Sequence, residues 1–455
     1  MPTWTGLAAG PARTDPVSRD DGPVSDAADL LSPAGHDLLE RLSGVPVTPE
    51  TALRLGAGLR KTYPAGLVAA ALTQQSLRMA ARDKFSDASQ MYFTRDGLEQ
   101  ASAEQVAAHS ASRFAGLPRV ADLCCGIGGD LVALARVAGQ VLAVDTDPDA
   151  LVFAAMNAAV AGATGRVFTL GQDVRDVTLR AIEAVFIDPA RRAGGRRLRT
   201  GDSEPPLDWC LALADRVPRV CIKAAPGIAH ELIPAGWEAE FVAVSRGLKE
   251  ALLWSPAFAT TPRRATVLPS SLGPAAGPVP GRPEGIVATG ISALADGGQA
   301  HAVDASGAFP SLVAASTSPA PVGEPGRYLL DPSPAVTRAG LVAELAARTG
   351  TRQIDPQIAF LAADEPVITP FARTLRVIAS LPWHERRVAA RLRDLGVGAA
   401  DIRRRGLAGD VQQIRRNLRL RGDRAATIVA TRHDDRPWCL ICEAIPDQAD
   451  PRPPG

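Results

Sequence analysis

With 455 residues, 46% of them hydrophobic and 22% charged, and a formal net charge of +1, the chain has room for two to four domains of an ordinary soluble globular protein. Six cysteines over this length exclude a disulfide scaffold. No run of eighteen apolar residues offers a membrane span, and no charged start followed by an apolar core marks a signal peptide, so the cytoplasm is the expected compartment. Only four of the 50 basic residues are lysines, Lys61, Lys84, Lys223 and Lys249. So much arginine reflects base-composition bias as well as function, and arginine clusters are discounted accordingly.

Residues 1–28 are rich in Pro, Gly, Asp and Ser without periodicity and read as a disordered tail. Residues 29–115 read as a helical domain, with Leu67, Ala70, Ala71, Leu77 and Ala81 recurring at helical spacing. Tyr92-Phe93-Thr94 is a short extended piece. A further helix is expected over 102–113, with Ser102 and Gln105 in capping-box positions.

The next domain, expected over 116–258, opens on a strand-turn-helix-strand unit. Val120-Ala121-Asp122-Leu123 is a short run suited to a buried parallel strand. Gly126-Ile127-Gly128-Gly129 is a turn, Leu131, Leu134, Ala135 and Ala138 mark a helix, and residues 140–144 form a second strand ending on Asp145. Glycines let a ligand approach the backbone, and a carboxylate about twenty residues on is placed to accept hydrogen bonds from ribose hydroxyls. The unit therefore reads as a nucleotide cradle at the carboxyl ends of parallel strands. It is not a dinucleotide fingerprint, because Leu131 stands where the third glycine should be, and no phosphate-loop string occurs. The bland alternative is a structural βαβ turn.

The string Asp122-Leu123-Cys124-Cys125-Gly126-Ile127-Gly128 resembles the first motif of class I S-adenosylmethionine-dependent methyltransferases. The resemblance implies an α/β, Rossmann-like sheet and S-adenosylmethionine as cofactor. Asp122 would lie near its amino-acid end, the turn of Cys124, Gly126 and Gly128 beneath it, and Asp145 on its ribose. After a helix over 148–161, the strand Val167-Phe168-Thr169-Leu170 leads to Asp173, which in such enzymes would meet the adenine amino group. The segment over 92–114 resembles the stretch before the cofactor motif in trimethylguanosine synthase-like methyltransferases, where a helical extension helps close the site; plain core packing is the alternative.

The buried strand Ala184-Val185-Phe186-Ile187 is followed by Asp188-Pro189-Ala190-Arg191. This resembles the [DNS]-P-P-[YFW] motif of methyltransferases that modify nitrogens of bases. There the acidic or amide side chain and the proline carbonyl accept hydrogen bonds from the target amine and align it for in-line attack. A carboxylate also stabilises the positive charge that grows on the amine. This chain departs from the motif at Ala190 and at Arg191, although arginine also stacks on base planes. Nitrogen is the favoured target. Carbon-5 pyrimidine chemistry needs a nucleophilic cysteine, and Cys124 and Cys125 belong to the cofactor turn while Cys221 lies inside a strand.

Five arginines in nine residues follow, among them Arg191, Arg192, Arg196 and Arg197. At the mouth of the site they suit phosphate contacts; a solvated loop is the alternative. A fifth strand over 217–222 ends at Lys223, which either contacts substrate or pairs with a carboxylate such as Asp188. Leu248-Lys249-Glu250-Ala251-Leu252-Leu253-Trp254 resembles a string found after the catalytic domain in bacterial methyltransferases that end in a THUMP-like domain.

Residues 259–327 read as Pro/Gly-rich loops and hairpins with weak strands at 285–289 and 301–303, finishing the sheet region or forming a small inserted subdomain. Order resumes over 328–446, followed by a tail at 447–455. Between Phe371 and Arg432 fifteen arginines face five acidic residues, and helices alternate with strands in an α/β module. Residues 407–432 resemble the THUMP-like domain, an RNA-binding appendage of RNA-modifying enzymes; the basic excess fits backbone contacts. Cys439 and Cys442 form a lone C-x-x-C in a strand-like run and read as core. The whole implies an RNA methyltransferase acting on a base nitrogen of tRNA or rRNA, with no metal and no membrane partner. A methyltransferase for a small molecule or protein, or an inactive RNA-binding homologue, is the alternative.

Overall fold

The computed structural model describes residues 26–190, 192–193, 196–197, 203–270, 309–315, 318–407 and 409–445. The 447–455 tail, most of the N-terminal tail and the weak strands at 285–289 and 301–303 lie outside them. Eight helices precede or enter the first sheet: α1 (Asp26–Leu30), α2 (Pro33–Arg41), α3 (Pro49–Leu59), α4 (Ala65–Ala80), α5 (Arg95–Gln100), α6 (Glu104–Ala111), α7 (Gly129–Val137) and α8 (Pro148–Val160). Among the described residues no helix is long and apolar enough to cross a membrane.

The first sheet contains β1 (Arg119–Leu123), β2 (Gln140–Asp145), β3 (Val167–Gly171), β4 (Ala184–Ile187), β5 (Arg219–Ala224), β6 (Glu238–Val244), β7 (Gly247–Trp254), β8 (Arg263–Leu268) and β9 (Ser311–Val313). Its order is β9-β8-β6-β7-β5-β4-β1-β2-β3. Strands β1 to β5 are parallel, and β7 runs antiparallel between β5 and β6. The strand order reverses between β1 and β4, and that switch point is where ligands of open α/β sheets bind. β1 and β4 are buried almost throughout, which is why they read as unbroken apolar runs.

Each face of this sheet carries its own core. On one face Phe114, Leu131, Leu134 and Ala154 pack on Phe186, Val242 and Trp254. On the other Ile187, Ile222 and Phe241 meet Val336 and Leu345 from α10 (Pro334–Ala339) and α11 (Val342–Thr349); the short α9 (Leu207–Ala212) lies on the same face. β8 and β9 pair antiparallel and finish the sheet, one of the two readings of the 259–327 region, but the positions of these two strands were not legible in the sequence. Ala265-Thr266-Val267-Leu268 of β8 is a short buried run among prolines, and β9 is three residues long. Neither shows the alternation of a half-buried strand.

The second sheet comprises β10 (Tyr328–Pro332), β11 (Arg352–Gln353), β12 (Leu361–Ala363), β13 (Ala372–Pro382), β14 (Val397–Arg404), β15 (Arg424–His433) and β16 (Arg436–Ala444), in the order β11-β12-β10-β13-β16-β15-β14. Helices α12 (Glu385–Asp394) and α13 (Val411–Leu418) bury Val388, Leu392, Ile414 and Leu418 against it. They leave Arg386, Arg387, Arg391, Arg393, Arg415 and Arg416 exposed. Cys439 and Cys442 are buried in β16, and burial pushes the Cys439 thiol up to about 12.

Candidate active site

The backbone leaving β1 turns through Cys124 (φ 62°), Gly126 (φ 53°) and Gly128 (φ 88°), all in the left-handed region. A Cβ on Gly126 would meet nothing within 4 Å, so this backbone is open to a ligand. A Cβ on Gly128 would sit 3.1 Å from the Cα of Ala154 on α8. Gly128→Ala therefore combines a left-handed alanine, costing about 1–2 kcal/mol, with a forced shift of α8. The expected result is that loss or more in urea denaturation, together with weaker cofactor binding.

Asp145, at the end of β2, holds this turn: its carboxylate accepts the Gly126 N–H at 2.9 Å and the Asp147 N–H at 3.0 Å. Asp122 is 1% exposed. Burial first, then the nearby Asp130 and Asp188, push its carboxyl well above the usual range. Oδ2 of Asp122 and Oδ1 of Asp130 are buried without a hydrogen-bond partner among the described residues. Orphaned buried carboxylate oxygens are costly. Two of them beside an open glycine turn fit the ammonium of an amino-acid moiety, which is what the amino-acid end of S-adenosylmethionine presents. The donor set thus suits the cofactor.

Asp173 caps the short turn over Val174–Asp176 by accepting the Arg175 N–H, and its carboxylate pairs with the Arg175 guanidinium at 3.1 Å. Arg175 also pairs with Glu204. Glu204 in turn meets the segment after β4: the Ala190 N–H donates to the Glu204 carbonyl at 2.8 Å. A proline at 190 has no N–H to give, so this bond accounts for the departure from the second proline of the motif. Arg191 lies outside the described residues. The backbones of Arg192–Ala193 and Arg196–Arg197 form a two-residue antiparallel ribbon just beyond Ala190.

Asp188 follows the last residue of β4, and its side chain is 28% exposed. Lys223 stands on the neighbouring β5, and its ammonium pairs with Asp188, as one of its two readings in the sequence expects. The ammonium donates to Asp188 Oδ2 at 2.6 Å, to Ser102 Oγ at 2.6 Å and to Asp130 Oδ2 at 3.1 Å, with Glu250 Oε2 at 3.9 Å. Burial alone would strip its proton. Asp130, Asp188 and Glu250 outweigh burial and hold the ammonium above its ordinary range. Glu250 itself is raised to about 7, chiefly by burial.

Ser102 is not the helix cap expected from its spacing to Gln105. α6 begins at Glu104 with Ala103 in the cap position and no side-chain cap, and the Ser102 hydroxyl turns instead to Lys223 and Asp130. The segment before α6 also rests on the cofactor turn. Asn157 on α8 clamps the Tyr92 backbone and donates to the Ile127 carbonyl at 2.9 Å. A Cβ on Gly97 would lie 2.6 Å from the Ile127 side chain. Ser102, Asp130 and Glu250 are the site residues sequence reasoning missed. Asp130 reads as an ordinary acid in the first turn of a helix. Cys124 and Cys125 have thiols pushed far up, by burial first and by Asp145 or Asp122 next, so neither is a ready nucleophile. Among the described residues no group of three or more His, Cys, Asp or Glu is placed to hold a metal ion.

Comparison with known proteins supports the same architecture. A family model described as RNA cap guanine-N2 methyltransferase matches residues 118–195, a THUMP domain-like model matches 372–444, and a domain of unknown function matches 22–81. An uncharacterized S-adenosylmethionine-dependent methyltransferase of Mycobacterium tuberculosis, present in two strains, is 37% identical over 352 residues, covering 76% of this chain and 85% of the relative. The crystal structure of a putative methyltransferase from Porphyromonas gingivalis shares the fold at 18% identity and a TM-score of 0.61, over 87% of this chain and 98% of that one. On its sequence relatives, the chain belongs to the S-adenosylmethionine-dependent methyltransferases, with an RNA methyltransferase-like domain and a C-terminal THUMP-like domain.

Proposed function

We propose that this methyltransferase acts in the cytoplasm on a base nitrogen of structured RNA, tRNA or rRNA. The observation that carries the reading is the Asp188 carboxylate at the carboxyl end of β4, held by Lys223 beside the cofactor turn. Bound S-adenosylmethionine supplies an electrophilic methyl group. The chain's own residues supply position and charge. Asp122 and Asp130 hold the ammonium, the Gly126 and Gly128 backbone and Cys124 form the floor, Asp145 holds the ribose, and Asp173 meets the adenine. Asp188 and the Pro189 carbonyl accept hydrogen bonds from the target amine, and the carboxylate stabilises its growing positive charge. Arg191, Arg192, Arg196 and Arg197 are the residues this reading assigns to phosphate contacts.

In this reading residues 29–115 form the closing extension, 116–258 the catalytic domain and 328–446 the RNA-binding region. The exposed arginines of α12 and α13 then meet the RNA backbone. Replacing Arg391, Arg393, Arg415 and Arg416 by alanine in the full chain is expected to weaken binding evenly across RNA sequences. The slope of log affinity against log salt should fall by roughly one for each phosphate that an arginine no longer reaches. Fluorescence anisotropy with tRNA and rRNA fragments checks this, and an unchanged affinity and slope would remove these helices from the RNA interface. Asp145→Ala is expected to weaken binding of S-adenosylhomocysteine by about tenfold to a hundredfold, the scale of charge-assisted hydrogen bonds. Calorimetry measures it, and wild-type affinity would place the ribose elsewhere.

A further inference from the structure

Four carboxylates converge behind the glycine turn, each from a different element: Asp122 on β1, Asp130 on α7, Asp188 after β4 and Glu250 on β7. Like charges at this spacing drive one another toward the protonated form. Among the described residues the cation between Asp188 and Asp130 is Lys223, 6% exposed, whose ammonium donates to both and to Ser102. Glu250 stands behind it and is fixed in turn by the Ser110 hydroxyl at 3.0 Å. Lys84 is turned onto the Leu98 carbonyl at 2.6 Å. A protonated Asp188 would be a neutral acid, unable to stabilise a positive charge. The site therefore needs a device that keeps this particular carboxyl ionised among its neighbours.

We propose that Lys223 is that device: a positioning residue that holds Asp188 as an ionised, oriented acceptor, itself braced by Ser102 from the N-terminal extension and by Glu250. The proposal rests on the reading of Asp188 as the acceptor for the target amine. Through Ser102 the helical extension becomes part of the catalytic apparatus rather than packing alone. In this proposal Lys223, buried on β5, acts through Asp188.

The test combines pH profiles and direct titration on the full chain. Lys223→Met removes an opposite charge within hydrogen-bond distance, which is worth about one to three pH units on a carboxyl. The acid limb of its kcat profile is expected to move up by that amount, read at saturating S-adenosylmethionine because Lys223 also bonds Asp130. Glu250→Gln leaves Lys223 its bond to Asp188, and its acid limb is expected to stay in place or move down. A merely structural role would lower kcat at every pH alike in both variants. Where Lys223→Met fails to fold, carbon-13 NMR of the wild-type aspartate carboxyls decides, with Asp188→Asn as the assignment control. The Asp188 signal is expected not to titrate between about pH 5 and 8, and titration inside that window overturns the proposal. Wild-type turnover or an unmoved acid limb in Lys223→Met overturns it too. If Asp188→Ala is inactive while Lys223→Met is normal, only this inference falls. If Asp188→Ala is itself fully active, the functional reading falls with it.

Discussion

Asp188→Ala is expected to bind S-adenosylhomocysteine like the wild type and to lose methyl transfer by about 10²-fold or more, the scale of removing one preorganised electrostatic contact. The split between binding and turnover follows from position. The groups suited to the cofactor are Asp122, Asp130 and Asp145, which line the glycine turn. Asp188 stands one strand over, past the end of β4 and bonded to Lys223 on β5. Its removal strips the acceptor proposed for the target amine and leaves the turn itself intact, because the bonds from Asp145 to Gly126 and Asp147 do not involve it. Calorimetry for the cofactor and single-turnover kinetics for transfer separate the two effects. A matching loss of cofactor affinity would mean that Asp188 belongs to the cofactor site. Unchanged turnover would remove it from the mechanism.

The second large effect concerns stability. Glu240 on β6 is fully buried and accepts from His109 Nε2 at 2.7 Å, Arg113 at 3.1 Å, Trp254 Nε1 at 3.0 Å and Thr266 Oγ1 at 2.6 Å. The neighbouring Glu238 holds the same Arg113 at 2.6 and 3.0 Å and Arg264 at 2.8 Å, and the Arg113 guanidinium lies 4.2 Å from the Trp254 ring centre. This network fastens α6, and the 3-10 turn after it, to the far side of the sheet. Glu240→Ala takes the acceptor from the His109 and Trp254 ring N–H groups and one carboxylate from Arg113, and breaking a buried pair in this way costs about 3–5 kcal/mol. Urea denaturation at pH 7 is expected to show a loss of that size; a change under about 1 kcal/mol, typical of exposed pairs, would contradict it. Burial alone would raise the Glu240 carboxyl, but His109, Arg113 and Thr266 outweigh burial and hold it far below its ordinary range. A carboxyl lowered in the folded state stabilises the fold above its unfolded value, near 4.5, and loses that contribution as pH falls further. Glu240→Gln is expected to flatten the part of the acid stability loss that this group carries.

The sequence reads well where chemistry is local. The parallel strands β1, β2 and β4 announce themselves as short apolar runs, and the glycine turn, Asp145 and Asp188 stand at their ends. It reads poorly where long-range partners override local pattern. Ser102 has the spacing of a capping box, yet its hydroxyl goes to a lysine 121 residues away. His109 and Arg113 look like helix-surface residues, but their partners are 131 and 125 residues on. Glu250 sits inside a recognisable string, and nothing in that string shows that it stands behind Lys223. The common cause is that a buried polar group is fixed by whichever partner the fold brings near, and one sequence alone does not state that pairing.

The measurement that tests the central claim most directly is methyl transfer from labelled S-adenosylmethionine to size-fractionated RNA lacking this enzyme's modification. The product is digested to nucleosides and identified by mass spectrometry, with Asp188→Ala run alongside. The expected result is one base-methylated nucleoside, with the methyl group on nitrogen, in a tRNA or rRNA fraction, absent with the variant. No transfer to any RNA while cofactor binding is intact would contradict the RNA assignment and favour a small molecule or protein as the methyl acceptor.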